Sequence, residues 1–167
     1  CDIARIGFAM GQKGTCSRLL TTVFGAPITY ASFGDAVAPG QLSMDVLMNC
    51  YRVPELNDGC LIYGIAGKDV NHSRELEVMN QQLKKKQLNA VCIPLESLEL
   101  DELLAVLEDL NIKGIQLEDP LKEIAIDKFS GSGSFPGTSV FMEISSFHGK
   151  QEIHIHPISG EKIFEHL

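Results

Sequence analysis

Glu152, His154 and His156 stand two apart in the stretch "QEIHIHPI". Alternate residues of a β-strand project from the same face, so an extended segment here would set one carboxylate beside two imidazoles. That donor set suits zinc, and metal binding is one chemistry open to it. An exposed strand face is the commoner role for such a stretch, and His148 and His166 add no spacing that improves the ligand set. The cysteines, Cys1, Cys16, Cys50, Cys60 and Cys92, form no C-x-x-C pair. Their odd number and wide spacing favour neither a disulfide framework nor a zinc knuckle, and a reducing cytoplasm is the simpler expectation.

The elements that would position these groups follow from apolar spacing. Up to Val53 the pattern alternates strand and helix: "IARIGFAM", then "TCSRLLTTVF", then "PITYAS", then "MDVLMNCYRV". This predicts two β/α units. "PELNDG" combines proline, Asn-Asp-Gly and charge, and is read as a linker within 54–60. A second series begins at Leu61: strand "LIYGIAG", a helix over 73–88 capped by Ser73, strand "NAVCIPL", helix "LDELLAVLEDLN", and strand "KGIQL". Strands separated by amphipathic helices predict parallel pairing in an α/β layer. After Lys122 the rhythm changes to "SGSGSFPG" and two further strand-like runs, "TSVFMEISSF" and "QEIHIHPI".

Fourteen Lys and Arg against 22 Asp and Glu give a formal charge of -8 over 167 residues. The longest basic run, Lys84 to Lys86, lies inside a helical pattern, so nucleic acid is not an expected partner. No apolar run approaches the roughly 20 residues needed to span a bilayer, so no membrane association is expected either. The first residue is Cys1 and a strand-like run follows at once, which suggests part of a longer polypeptide.

Two motifs in the first segment, "MGQKGTCSR" and "APGQ", resemble the end of a type I 3-dehydroquinate dehydratase, a (β/α)8 barrel. In that family a strand ends in M-[AG]-x-x-G-x-x-S-R, and A-P-G-Q follows downstream. The resemblance covers residues 1–53, the last two β/α units. It implies that Arg18 clamps the substrate carboxylate and that Gln41 also binds substrate, roles that suit a forked guanidinium and an amide. The family serine four residues before that glutamine is Val37 here. The family's Schiff-base lysine and its acid/base histidine lie on earlier strands, and neither Lys13 nor His72 stands in the right context to replace them. Imine catalysis requires that lysine. Two β/α units cannot close an eight-stranded barrel, so an upstream barrel segment or self-association is expected to cover the open edge.

The remainder, 61–167, resembles the N-terminal, substrate-binding domain of shikimate dehydrogenase. "YGIAGKDVNHSRE" follows that family's Y-G-[IV]-x-G-x-P-[IV]-x-H-S-x-S, and "GIQLEDPLKE" follows G-x-N-V-T-x-P-x-K-E. The resemblance implies that Ser73 binds the substrate carboxylate and that Lys122 occupies the catalytic lysine position. Other positions depart from the pattern: the second serine is Glu75, the Asn and Thr of N-V-T are Gln116 and Glu118, and a further asparagine is Phe141. The catalytic aspartate of G-K-L-x-G-x-N-T-D falls on Pro157, which has neither carboxylate nor N–H. An anionic substrate would meet Glu75 and Glu118 where the family has neutral hydroxyls.

Dehydratase followed by dehydrogenase is the order of bifunctional shikimate-pathway proteins. The expectation is therefore an α/β chain from such an enzyme, with 3-dehydroquinate or a related cyclic hydroxy acid as ligand of a completed barrel. It is expected to be non-catalytic alone. NADP is expected for a complete dehydrogenase, while no G-x-G-x-x-G occurs in this sequence. The alternative is a non-enzymatic assembly or regulatory module. The cytoplasm is the expected compartment, or a plastid for a plant-type precursor.

Overall fold

A computed structural model describes residues 5–130, 139–147 and 150–158. One five-stranded sheet organises it, in the order β2-β1-β3-β4-β5. Strand β1 (Leu61–Gly67) is followed by helix α2 (Arg74–Lys85), β2 (Ala90–Glu96), α3 (Leu100–Asp109), β3 (Gly114–Leu117) and α4 (Leu121–Ser130). The hairpin of β4 (Ser139–Phe147) and β5 (Lys150–Ile158) completes it. Strand β1 pairs in parallel with β2 and β3, as helix-linked strands require, whereas β3–β4 and β4–β5 are antiparallel.

Alternation along the strands sends side chains to two layers. Tyr63, Ile65, Ala90, Cys92 and Phe141 face α2, where they pack with Leu76, Met79 and Leu83. Ile62, Ala66, Val91, Ile93, Ile115, Leu117 and Met142 face the other side, with α3 and α4. That second layer also takes in Leu19 and Leu20 from helix α1 (Thr15–Leu20), and Leu47, Tyr51 and Val53 beyond it. Residues before and after 54–60 thus share one core. Lys13 pairs with Glu102, and Arg52 donates through Nη2 to the carbonyls of Leu88 and Ala90, at 3.3 and 3.1 Å.

The outer edge of β2 is closed by a side chain. Buried Asn80, on α2, donates Nδ2 to the Cys92 carbonyl at 2.8 Å and accepts the Cys92 N–H on Oδ1 at 3.0 Å. The amide does for this edge what a neighbouring strand would do, leaving no open ladder at Cys92.

The strands expected before Val53 are not formed. Residues 5–10 and 27–31 carry no ladder, and pairing there is limited to an isolated bridge from Ser32 to Ser43. A strand is stable only where a neighbour takes its backbone N–H and C=O groups, and no described strand lies alongside these runs. Their apolar residues stay in solvent: Ile6, Ile28 and Tyr30 are all exposed. The helical parts do form, as α1 and as a five-residue π-turn at Val46–Cys50.

Candidate functional site

The carboxyl ends of parallel strands are where open α/β sheets bind ligands, and here the ends of β1 and β3 come close together. Gly67 permits this, because a Cβ on it would fall 2.9 Å from the Cβ of Glu118. From β1 the chain turns through Val70–His72 into α2, whose N-cap is Ser73. From β3 it passes Glu118 and Asp119 into α4, which carries Lys122.

Ser73 and Lys122 are both present at this edge, and both are already engaged. The Ser73 hydroxyl accepts the Glu75 N–H at 3.3 Å and donates to the Glu75 carboxylate at 2.6 Å. This is a helix cap reinforced by its own neighbour. The Lys122 side chain is half-buried, and its ammonium pairs with Asp119 at 3.0 Å. That acid partner lies three residues before Lys122, a spacing visible in the sequence.

The edge is dominated by negative charge. The hydrogen bond from Ser73 holds the Glu75 carboxyl below its ordinary value. Burial pushes the Glu118 carboxyl up, and the charges of Glu75 and Asp119 push it further in the same direction. Deeper in the site, Gln116 and Phe141 stand opposite each other in register and both are buried. The Phe141 ring lies across Gly114, where an added Cβ would meet it at 2.3 Å, so the phenyl group fills the space over that strand.

The folded-state rise at Glu118 has a pH consequence. Folded protein retains a proton there that the unfolded chain has released, so stability falls as pH rises from the ordinary value of 4.5 through the folded one. Glu75 acts on the other side: its stabilising contribution is present above 4.5 and is lost as pH falls through its lowered value. Glu118→Gln should therefore raise the melting temperature at neutral pH and flatten its decline above pH 4.5. Thermal melts of both proteins between pH 4 and pH 8 check this, and parallel curves would refute it.

Arg18 is 3% exposed, its guanidinium 4.3 Å over the Phe8 ring and one nitrogen 3.5 Å from the sulfur of Met10. Its Nε has no hydrogen-bond partner, a state a ligand carboxylate could relieve. Gln41 lines a cavity and accepts the Val37 N–H on Oε1 at 3.0 Å. His72, exposed at the end of its turn, lines that same cavity.

Strand β5 does place Glu152, His154 and His156 on one face, and each imidazole turns to a carboxylate. His156 lies 3.2 Å from Glu143 on β4, and His154 lies 3.7 Å from Glu152. Among the described residues no three His, Cys, Asp or Glu side chains are grouped as metal ligands. Pro157 pairs in register with Val140.

Comparison with known proteins follows these divisions. Residues 2–58 match the family model of type I 3-dehydroquinase. A chloroplastic bifunctional 3-dehydroquinate dehydratase/shikimate dehydrogenase from Arabidopsis thaliana is 31% identical over 127 residues, covering 75% of this chain and 21% of that protein. The shikimate biosynthesis protein AroDE from Chlamydia pneumoniae is 32% identical over 122 residues, covering 71% and 25%. Among solved structures, the dehydroquinate dehydratase and shikimate dehydrogenase of S. pombe AroM overlaps 87% of this chain and 28% of its own, at 23% identity and a TM-score of 0.48. The chain spans a quarter or less of the length of these two curated relatives. The longer alignment must cross the Val53–Cys60 junction wherever it begins. In content and in order, the chain is similar to the end of a type I 3-dehydroquinate dehydratase followed by the substrate-binding domain of a shikimate dehydrogenase, as in the bifunctional proteins.

Proposed function

We propose that this chain works as part of a bifunctional shikimate-pathway protein and that its dehydrogenase-like half has kept the fold while losing the family chemistry. The observation that carries this reading is the acidic edge formed by Glu75 and Glu118, with the Ser73 hydroxyl turned into it. A substrate carboxylate brought to that edge finds like charge, and the serine that would donate to it is already donating. Lys122 holds Asp119, and the position of the family's catalytic aspartate is Pro157. No proton can be taken up or released at a proline side chain.

A complete dehydrogenase of this kind would use NADP. The turn from β1 to α2, Gly67-Lys68-Asp69-Val70-Asn71-His72-Ser73, corresponds to the substrate-binding stretch and carries no nucleotide-binding glycine spacing. On the dehydratase side, Lys13 is exposed and ion-paired with Glu102, so it is not placed as an imine-forming lysine.

A second reading, an assembly module, is favoured by one observation. Met10, Phe24, Phe33 and Met44 of the first segment are exposed, with Phe33 at 97%. Exposed apolar side chains of this kind suit contact with a second copy. The cytoplasm, or a plastid for a plant-type precursor, is the compartment consistent with either reading.

The purified chain should neither dehydrate 3-dehydroquinate nor oxidise shikimate with NADP. Steady-state assays of both reactions test this, and turnover in either would overturn the loss of chemistry proposed for that half.

A further inference from the structure

We propose that the outer edge of β5 pairs antiparallel with β5 of a second copy of this chain, joining two five-stranded sheets into one across a two-fold axis. The two edges of the sheet differ. At β2 the Asn80 amide takes both the N–H and the carbonyl of Cys92, so that edge is closed. Strand β5 is the other outermost strand, and among the described residues no side chain closes it. All nine of its residues pair with β4 on the inner side, so the groups directed away from β4 form the kind of row to which a further strand adds.

The sequence of β5 complements itself when turned end for end. Its midpoint is His154, so a two-fold axis there sets the full length of one strand against the full length of the other. Glu152 then stands opposite the second copy's His156, Ile153 opposite its Ile155, and His154 opposite its own counterpart. Directly opposed residues share a face of an antiparallel pair. Carboxylate therefore meets imidazole twice on one face, and isoleucine meets isoleucine twice on the other. A slip of one residue would turn the polar face of one strand against the core face of its mate, and a slip of two shortens the pairing.

Both faces gain from this register. Ile153 and Ile155 are half-buried against the core of their own copy, and pairing covers apolar surface that each leaves in solvent. On the other face Glu152, His154 and His156 are exposed. Within one copy His156 already lies 3.2 Å from Glu143 and His154 lies 3.7 Å from Glu152. The two-fold axis links these pairs to the same pairs of the second copy, and a network of charges contributes more than isolated surface pairs do. The contact is isologous, so it closes at two copies.

The test is sedimentation of the whole chain over a concentration series. A reversible dimer is expected, with amide exchange at Ile153 and Ile155 slowing as concentration rises. Glu152→Lys sets a cation against the second copy's His156, and His156→Glu sets a carboxylate against its Glu152; each alone should weaken the dimer about tenfold. Mixed in equal amounts, the two variants should associate, because the new lysine of one meets the new glutamate of the other while the remaining contact is the native Glu152–His156 pair. A wild-type chain that stays monomeric, exchange at Ile153 and Ile155 independent of concentration, or a mixture no more associated than its components would each overturn the assignment. A dimer that both variants leave intact assembles through another surface, such as the exposed side chains of the first segment, and overturns it as well.

Discussion

Leu19→Ala is expected to destabilise the entire chain by about 2–5 kcal/mol, although Leu19 belongs to the dehydratase-like segment. Leu19 is fully buried in the cluster that holds Ile62 of β1, Val91 and Ile93 of β2, and Leu103 of α3. Removing three carbons there deletes their transfer free energy and opens a cavity that the surrounding strands can only partly close. Because the sheet's inner face depends on that packing, the loss should appear as one lowered melting transition. Faster amide exchange in β1 and β2 should accompany it, not exchange confined to residues before Val53. A drop of roughly 2–4 °C per kcal/mol is the scale expected for a domain of 150–250 residues. Phe33→Ala, at a 97% exposed position, should leave the melt unchanged. If Leu19→Ala freed only the first segment while β2 kept its protection, the shared core would be refuted.

The second half of the fold was legible in the sequence because each of its signals is local. Short continuous apolar runs in "LIYGIAG" and "NAVCIPL", helical spacing after Ser73 and Leu100, and the change to two strand-like runs after 138 fix element type within a few residues. Helix-linked strands then leave parallel pairing as the simple solution, and β1 to β3 adopt it. The first segment was less legible for a physical reason. "IARIGFAM" and "PITYAS" have strand composition, but a strand is a relation between chains of backbone groups, and composition names no neighbour.

Site geometry was only partly readable. Glu75 and Glu118 fall 43 positions apart in sequence, and their shared edge was anticipated through the family pattern, not through spacing. The use of Ser73 by Glu75 was not anticipated, since a hydroxyl two residues from a carboxylate can turn to it or to solvent. Nor could the sequence show that the Arg18 guanidinium lies over the Phe8 ring. Asn80 was missed altogether: what distinguishes it is burial beside an open edge, which leaves no periodic signal.

Restoring the family hydroxyls at the acidic edge, Glu75→Ser with Glu118→Thr, should bring back shikimate binding before it brings back any reaction. Each carboxylate removed relieves about 1 kcal/mol of repulsion at a few ångströms even in water, so the pair is worth on the order of thirtyfold in affinity. The same change frees the Ser73 hydroxyl from its 2.6 Å bond, while Lys122 keeps its pair with Asp119. Gln116, Phe141 and Pro157 remain, so the recovered binding should be weak and catalysis should stay absent. Calorimetric titration of shikimate into the wild-type chain and the double variant, side by side at neutral pH, is the decisive measurement. No measurable heat of binding to the wild type and saturable binding to the variant are expected; equal, saturable binding to both would contradict the loss of substrate recognition at this edge.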